Sequence, residues 1–277
     1  MADSAFQIQY RSEFIANFEQ SQSLVRNSVT TEAVIKGNQA TFLVVGSGGA
    51  QAVTRGLNGL IPARADDNQQ YTATLAEWQD LVRKTGFNIF GSQGDQRRAM
   101  QQTSMNVINR KLDQDIITEL NTATQDSGPI ARTANLDLVM YGIAVLGNNA
   151  VPLDGNISAL ITPAFHAYLM QTKEFASAQY VNNTPFADTL TMYRWAGVNF
   201  IVHPNLPGKG TNAEKCFLYH KASIGNALSS EGLKVAVGMD DEQDYSFART
   251  TMYTGSKLLQ NNGVFVFNHD GSAFAPQ

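Results

Sequence analysis

The 277-residue sequence predicts an α+β fold, and three observations carry that prediction. Residues 95–127 hold neither glycine nor proline, although the chain contains 22 Gly and 8 Pro. Short β-prone runs separated by turn residues fill the first third and the C-terminal tail. Between them, residues 131–232 alternate helix and strand signals.

In chain order, residues 1–29 are polar with sparse apolar anchors. Phe14, Ile15, Phe18, Leu24 and Val25 suit a short amphipathic helix with Ser12 as its N-cap. Such an arm has too few apolar residues to fold alone. Residues 30–78 read as a long protruding hairpin. Its first strand is 30–36 and its second 39–45, joined at Gly37-Asn38, which tolerate the positive φ of a tight turn. Gly46-Ser47-Gly48-Gly49 breaks the strand, and the chain stays polar to Gln70 with no aromatic residue. A structureless excursion of that length is either disordered or packed on a neighbouring chain. Residues 71–75 return as a strand, and 78–90 read as a further extended segment.

Ser92-Gln93-Gly94-Asp95 opens the long helix, and Gly128-Pro129 closes the glycine-free stretch. Met105, Ile108, Leu112, Ile116 and Leu120 form one apolar stripe at spacings of three and four. About 28 helical residues would span roughly 40 Å, far beyond the average globular helix. Lys111 and Asp115 make an i, i+4 pair. Asn135 caps a second helix carrying Leu136, Val139, Ile143 and Leu146. A short strand at 157–161 follows, and Thr162-Pro163 opens a helix with Phe165, Leu169 and Phe175 on its apolar side. Residues 189–196 and 198–202 are strands around Gly197, and Pro204-Asn205-Leu206-Pro207 is a turn. Strands at 233–237, 245–253 and 264–267 complete the chain.

Bulk properties exclude several classes. Net charge is −4 and pI about 5.6, which argues against a dedicated nucleic-acid-binding surface. Cys216 is the sole cysteine, so no intramolecular disulfide or cysteine zinc cluster forms; in its strand-like setting it reads as a small buried side chain. No secretory signal and no apolar run of membrane-spanning length is visible. Charged residues are only 16% of the chain, below the ~25% of typical domains. This leaves two readings, a neutral polar surface or a surface buried in partner contacts.

Motifs for chemistry are weak. Gly208-Lys209-Gly210-Thr211 resembles the end of a phosphate loop, but His203 stands where its first glycine belongs and Gly210 where Ser or Thr belongs. Gly46-Ser47-Gly48 resembles a dinucleotide turn, but Gln51 replaces the third glycine and no helix follows. His166, His203, His220 and His269 have no metal-ligand spacing. Asp240-Asp241-Glu242 lacks the glycine and glutamate of a calcium loop and reads as a solvated connection. Arg97 and Arg98 sit at a helix start, where the dipole disfavours cations, which points to an acidic partner or to plain solvation. No catalytic, cofactor or metal residues are expected, so the chain is not read as an enzyme.

The order of these elements resembles the major capsid proteins of tailed bacteriophages, whose Hong Kong-phage-type fold is shared with encapsulins. The resemblance spans nearly the whole chain. Its local patterns are Leu160-Ile161-Thr162-Pro163-Ala164-Phe165, the run from Trp195 to Val202 followed by Pro204-Asn205-Leu206-Pro207, and the closing strands with Tyr253-Thr254-Gly255. It implies an N-terminal arm (1–29), an extended loop (30–78), a peripheral domain with a spine helix (79–129 and 233–277) and an axial domain (130–232). It further implies pentamers and hexamers building an icosahedral shell around double-stranded DNA without sequence-specific binding. Scaffolding, decoration and portal proteins are implied partners. The place is the virion capsid, assembled in the host cytoplasm, with no membrane. Phe14, Phe18, Arg55, Leu60, Arg64, Arg97 and Arg98 are the expected inter-subunit contacts. An encapsulin-like compartment is the near alternative. A hydrolase or transferase using Asp240, Asp241 and His220 is the distant one, and a virion decoration protein is a third.

Overall fold

A computed structural model of the chain describes residues 20–32, 37–86, 96–176, 192–229 and 234–274. Its helices are α1 (Gln96–Leu120), α2 (Leu136–Asn148), α3 (Pro163–Leu169) and α4 (Lys173–Ala176). Its first strands are β1 (Thr30–Glu32), β2 (Gln39–Gly46), β3 (Asp67–Thr74) and β4 (Ala76–Thr85). Then come β5 (Ile157–Ile161), β6 (Met192–Trp195), β7 (Val198–Val202) and β8 (Glu214–His220). The last are β9 (Ile224–Leu228), β10 (Lys234–Asp240), β11 (Tyr245–Leu258) and β12 (Val264–His269).

Helix α1 is the glycine-free stretch. Ile108, Leu112, Ile116 and Leu120 of its stripe are buried and Met105 is half-buried. The expected start at Ser92-Gln93-Gly94-Asp95 lies outside the described residues. Lys111 and Asp115 pair at 2.8 Å, and the Lys111 ammonium also stands 3.8 Å from the Trp78 ring centre, attracted by the negative face of the indole.

The helix lies on a five-stranded sheet built around β11. Residues 245–251 of β11 pair with both β10 and β4, so those two strands flank opposite edges. Thr254 pairs with Ala76 on the β4 edge and with Leu228 on the other, where β9 continues the line of β10. β1 lies parallel on β9, with Thr30 opposite Gly225. Ser104 of α1 bonds to Thr250 at 3.0 Å, and Ile108 and Leu112 pack on Met252. Burying this stripe against the tail strands makes up for the low intrinsic stability of an isolated helix.

The hairpin is paired differently from the sequence expectation. Gly37 does take a positive φ of 97°. Yet β1 pairs with β9, and β2 pairs with β3 across residues 47–66. The apolar partners decide it. Ala40 and Phe42 of β2 are buried with Ala73, Ala227 and Leu259, and Tyr71 stands directly opposite Phe42. The short Thr30-Thr31-Glu32 run offers no such partners. Residues 33–36 lie outside the described residues.

The second sheet has the order β12-β8-β5-β7-β6 and is mixed, with β5 and β7 parallel. Every residue of β5 is buried, as a central strand covered on both faces requires. Both expected caps are present. Asn135 Oδ1 accepts from Leu138 N at 2.8 Å, and Thr162 Oγ1 accepts from Phe165 N at 3.1 Å. Cys216 is buried in β8, and burial pushes its thiol pKa up to about 12, which leaves it unreactive.

Helix α2 packs on this sheet through Gly142. A Cβ there would come within 2.8 Å of Phe267 and 3.1 Å of Leu218. Gly142→Val is therefore expected to destabilise the chain by about 2–3 kcal/mol despite the better helix propensity of valine, read as a lower denaturant midpoint. A neutral or stabilising result would show that α2 lifts from the sheet at no cost.

Candidate assembly surface

Residues 47–66 connect β2 to β3 and are exposed throughout. Val53, Leu57, Leu60 and Ile61 of this loop, with Leu43 and Val45 of β2, each have more than half of their surface in solvent. Leu43 and Val45 alternate with the inward Phe42 and so share the outer face of the hairpin. Scattered exposed apolar residues need no explanation, but six on one hairpin expose apolar area that gains free energy when covered.

Arg55 and Leu60 are exposed on this loop, and Arg64 makes an exposed 2.8 Å pair with Asp66. That pair is screened by solvent and leaves the loop's shape to its contacts. The fold thus brings three of the expected contact residues onto one element. Arg98 is exposed in the first turn of α1, away from that loop in the chain, and Arg97 precedes it with its side chain outside the description. Phe14 and Phe18 lie outside the described residues.

Two buried polar clusters tie remote elements of the chain together, and neither was anticipated. Asp113 is fully buried on α1. Its carboxylate accepts from Gln20 Nε2, Ser23 Oγ and the backbone N–H groups of Leu24 and Val25. His203 approaches from the second sheet, 3.3 Å away through Nε2, while its Nδ1 accepts from Asn205 N at 3.1 Å. With Nδ1 accepting from Asn205 N, the ring presents Nε2–H to Asp113. One side chain thereby ties the start of the described chain, the long helix and the second sheet.

Glu214 is the other centre. It accepts from Thr162 Oγ1 at 2.7 Å, Gly210 N at 2.6 Å and His269 Nδ1 at 2.8 Å. His269 is fully buried, its Nε2 has no hydrogen-bond partner, and the Phe165 ring centre is 5.0 Å away. Burial pushes the His269 pKa below its ordinary 6.5, against the raising effect of Glu214. Burial lowers the His166 pKa as well. For such groups the unfolded chain binds protons first. Their stabilising contribution is complete above pH 6.5 and is lost as pH falls toward the folded pKa. The melting temperature is expected to drop between pH 7 and pH 5. His269→Asn, which keeps a donor near Nδ1, is expected to flatten that drop; an unchanged slope would remove His269 as its source.

The residues of a hydrolase reading are separated. His220 ends β8 and stands 3.3 Å from Asp154, whereas Asp240 and Asp241 open the turn from β10 to β11 in the other sheet. Hydrogen bonding to Tyr245 holds the Asp240 pKa low. Among the described residues no His, Cys, Asp and Glu group is arranged to hold a metal ion, and no helix is long and apolar enough to cross a membrane.

Comparison with known proteins accounts for this architecture. The structure is similar to that of Mycobacterium phage Che8, with a TM-score of 0.77 at 17% identity over 96% of this chain and 98% of that one. It is similar to the Cyanophage Pam1 capsid, with a TM-score of 0.75 at 12% identity over 98% of both chains. It is also similar to the Cyanophage P-SCSP1u capsid, with a TM-score of 0.73 at 13% identity over 96% of this chain and 93% of that one. These likenesses show the fold. Curated proteins contain no match to the sequence. The family model for phage capsid protein matches residues 2–270, nearly the full length, and the chain therefore belongs to the phage capsid protein family.

Proposed function

We propose that this major capsid protein closes its icosahedral shell through the β2–β3 loop, which lies over the adjacent subunit in pentamers and hexamers. The observation that carries this reading is the exposure of Leu43, Val45, Val53, Leu57, Leu60 and Ile61 on the β2–β3 hairpin and its loop. Arg55, Leu60 and Arg64 contact the neighbouring copy, and Arg97 and Arg98 meet acidic groups at the start of α1. Each contact is small, but a closed shell repeats it in every subunit, and the repeats act together.

In this scheme residues 79–129 and 233–277 form the peripheral domain, with α1 as its spine. Residues 130–232 form the axial domain, whose copies meet around the capsomer axis. β9 and β12 cross that boundary, each pairing in the sheet that carries mainly the other domain's strands. The role is structural and non-enzymatic. Double-stranded DNA fills the shell without sequence-specific contacts, scaffolding, decoration and portal proteins join it, and assembly takes place in the host cytoplasm.

Electron microscopy of the expressed chain tests the reading. Closed particles with fivefold and sixfold capsomers are expected. A chain that stays monomeric at high concentration, with or without a scaffolding partner, would sink it.

A further inference from the structure

The start of the described chain is pinned on one flank of α1. Gln20 and Ser23 reach Asp113, and Ser21 O accepts from Asn109 Nδ2, one turn nearer the helix start. Traced backwards from Val25, the chain runs toward the N-terminus of α1. At ~100° per residue, Asn109 and Asp113 lie on the flank opposite Lys111. Lys111 covers Trp78 of β4. Since β4 and β10 flank opposite edges of β11, the segment runs on the β10 side.

On that side β10 offers an uncovered row. Val235 stands opposite Thr250, the residue that bonds Ser104 of the helix, so Val235, Val237 and Met239 share the helix-side face of the sheet. They remain 46%, 40% and 50% exposed, and the outer edge of β10 has no strand partner among the described residues. An edge strand with an open apolar face invites a covering segment.

We propose that residues 14–18 of this same chain cover the row, setting Phe14, Ile15 and Phe18 on Val235, Val237 and Met239. The distance allows it. From Asn109 to Ser104 is about 7–8 Å along the helix axis. Six residues span roughly 9 Å if helical and ~20 Å if extended. Phe14, Ile15 and Phe18 fall on one face of a helical turn, and Phe14 and Phe18 on one face of an extended chain, so either conformation brings an apolar surface to the row. The sequence expectation set Phe14 and Phe18 against another subunit; the direction of the chain at Gln20 favours its own sheet. This inference does not depend on the shell reading.

Cysteine cross-linking tests it. Phe18→Cys with Val235→Cys, and Phe14→Cys with Met239→Cys, are each placed in one chain and oxidised. Cys216 does not compete, being buried with a pKa of about 12. Closure within a single chain is expected for at least one pair, seen as a faster-migrating band with both thiols lost. Co-expressed chains carrying one cysteine each should give no two-chain product. A two-chain product, or no closure in either pair, would overturn the proposal. Should the cysteine variants not fold, hydrogen exchange on the unsubstituted protein decides. Amides of residues 14–18 are expected to exchange about tenfold more slowly than in Val237→Asp, and equal rates would overturn it.

Discussion

Replacing Asp113 by alanine is expected to lower the unfolding free energy by about 3–5 kcal/mol, the range found when one partner of a buried charged cluster is removed. The carboxylate is fully buried and accepts from four groups between Gln20 and Val25, with His203 Nε2 close by. Alanine leaves those donors without an acceptor, at roughly 1–3 kcal/mol for each that water cannot reach. Asp113→Asn keeps one acceptor oxygen and should lose less. Urea unfolding measures this as a lower midpoint with an unchanged slope. A loss below ~1 kcal/mol would mean that the segment from Gln20 to Val25 detaches and rehydrates freely.

Shortening the β2–β3 loop is expected to have the opposite profile, sparing the fold and abolishing the shell. Residues 47–66 are replaced by Asn-Gly, a pair suited to a two-residue hairpin turn. Gly46 and Asp67 are already partners in the ladder, so register is retained. Closing a loop of two residues instead of twenty saves on the order of 2 kcal/mol of chain entropy, and the melting temperature should hold or rise. Particle yield by gradient sedimentation should fall at least a hundredfold. Leu57→Asp with Leu60→Asp should act in the same direction, since a charge buried in a contact is costly. Particles of normal yield from the shortened chain would remove the loop from the assembly contacts.

The sequence made some of this legible and hid the rest for physical reasons. α1 was visible because its stripe has helical spacing, and α2 and α3 were visible through Asn135 and Thr162, residues that cap by their own chemistry. β9 was not visible: Ile224-Gly225-Asn226-Ala227-Leu228 has poor strand propensity. It is a strand because the missing Cβ of Gly225 makes room for the Phe42 ring, and because Asn226 Nδ2 bonds to Ser256 Oγ at 3.0 Å. Both partners are remote in sequence. The pairing of β2 was misjudged because Gly37-Asn38 is a sound local turn signal, whereas Tyr71 and Ala73 are the partners that bury its apolar face. The exposed loop that carries Arg55, Leu60 and Arg64 was visible as a polar run without aromatic residues. Asp113 and Glu214 were not, since a lone carboxylate gives no sign of which remote donors will surround it.

The parallel pairing of β1 with β9 sets a clock on folding. Thr30 Oγ1 donates to Lys221 O, a contact between residues 191 positions apart. A ribosome adding ~5–20 residues per second delivers the second partner roughly 10–40 s after the first. Until then β1 cannot take its place on the first sheet, however early α1 forms. Native topology is thus completed only when most of the chain has been made, and non-local closure of this kind is slow. A subunit still being synthesised therefore lacks its finished first sheet until β9 has been made.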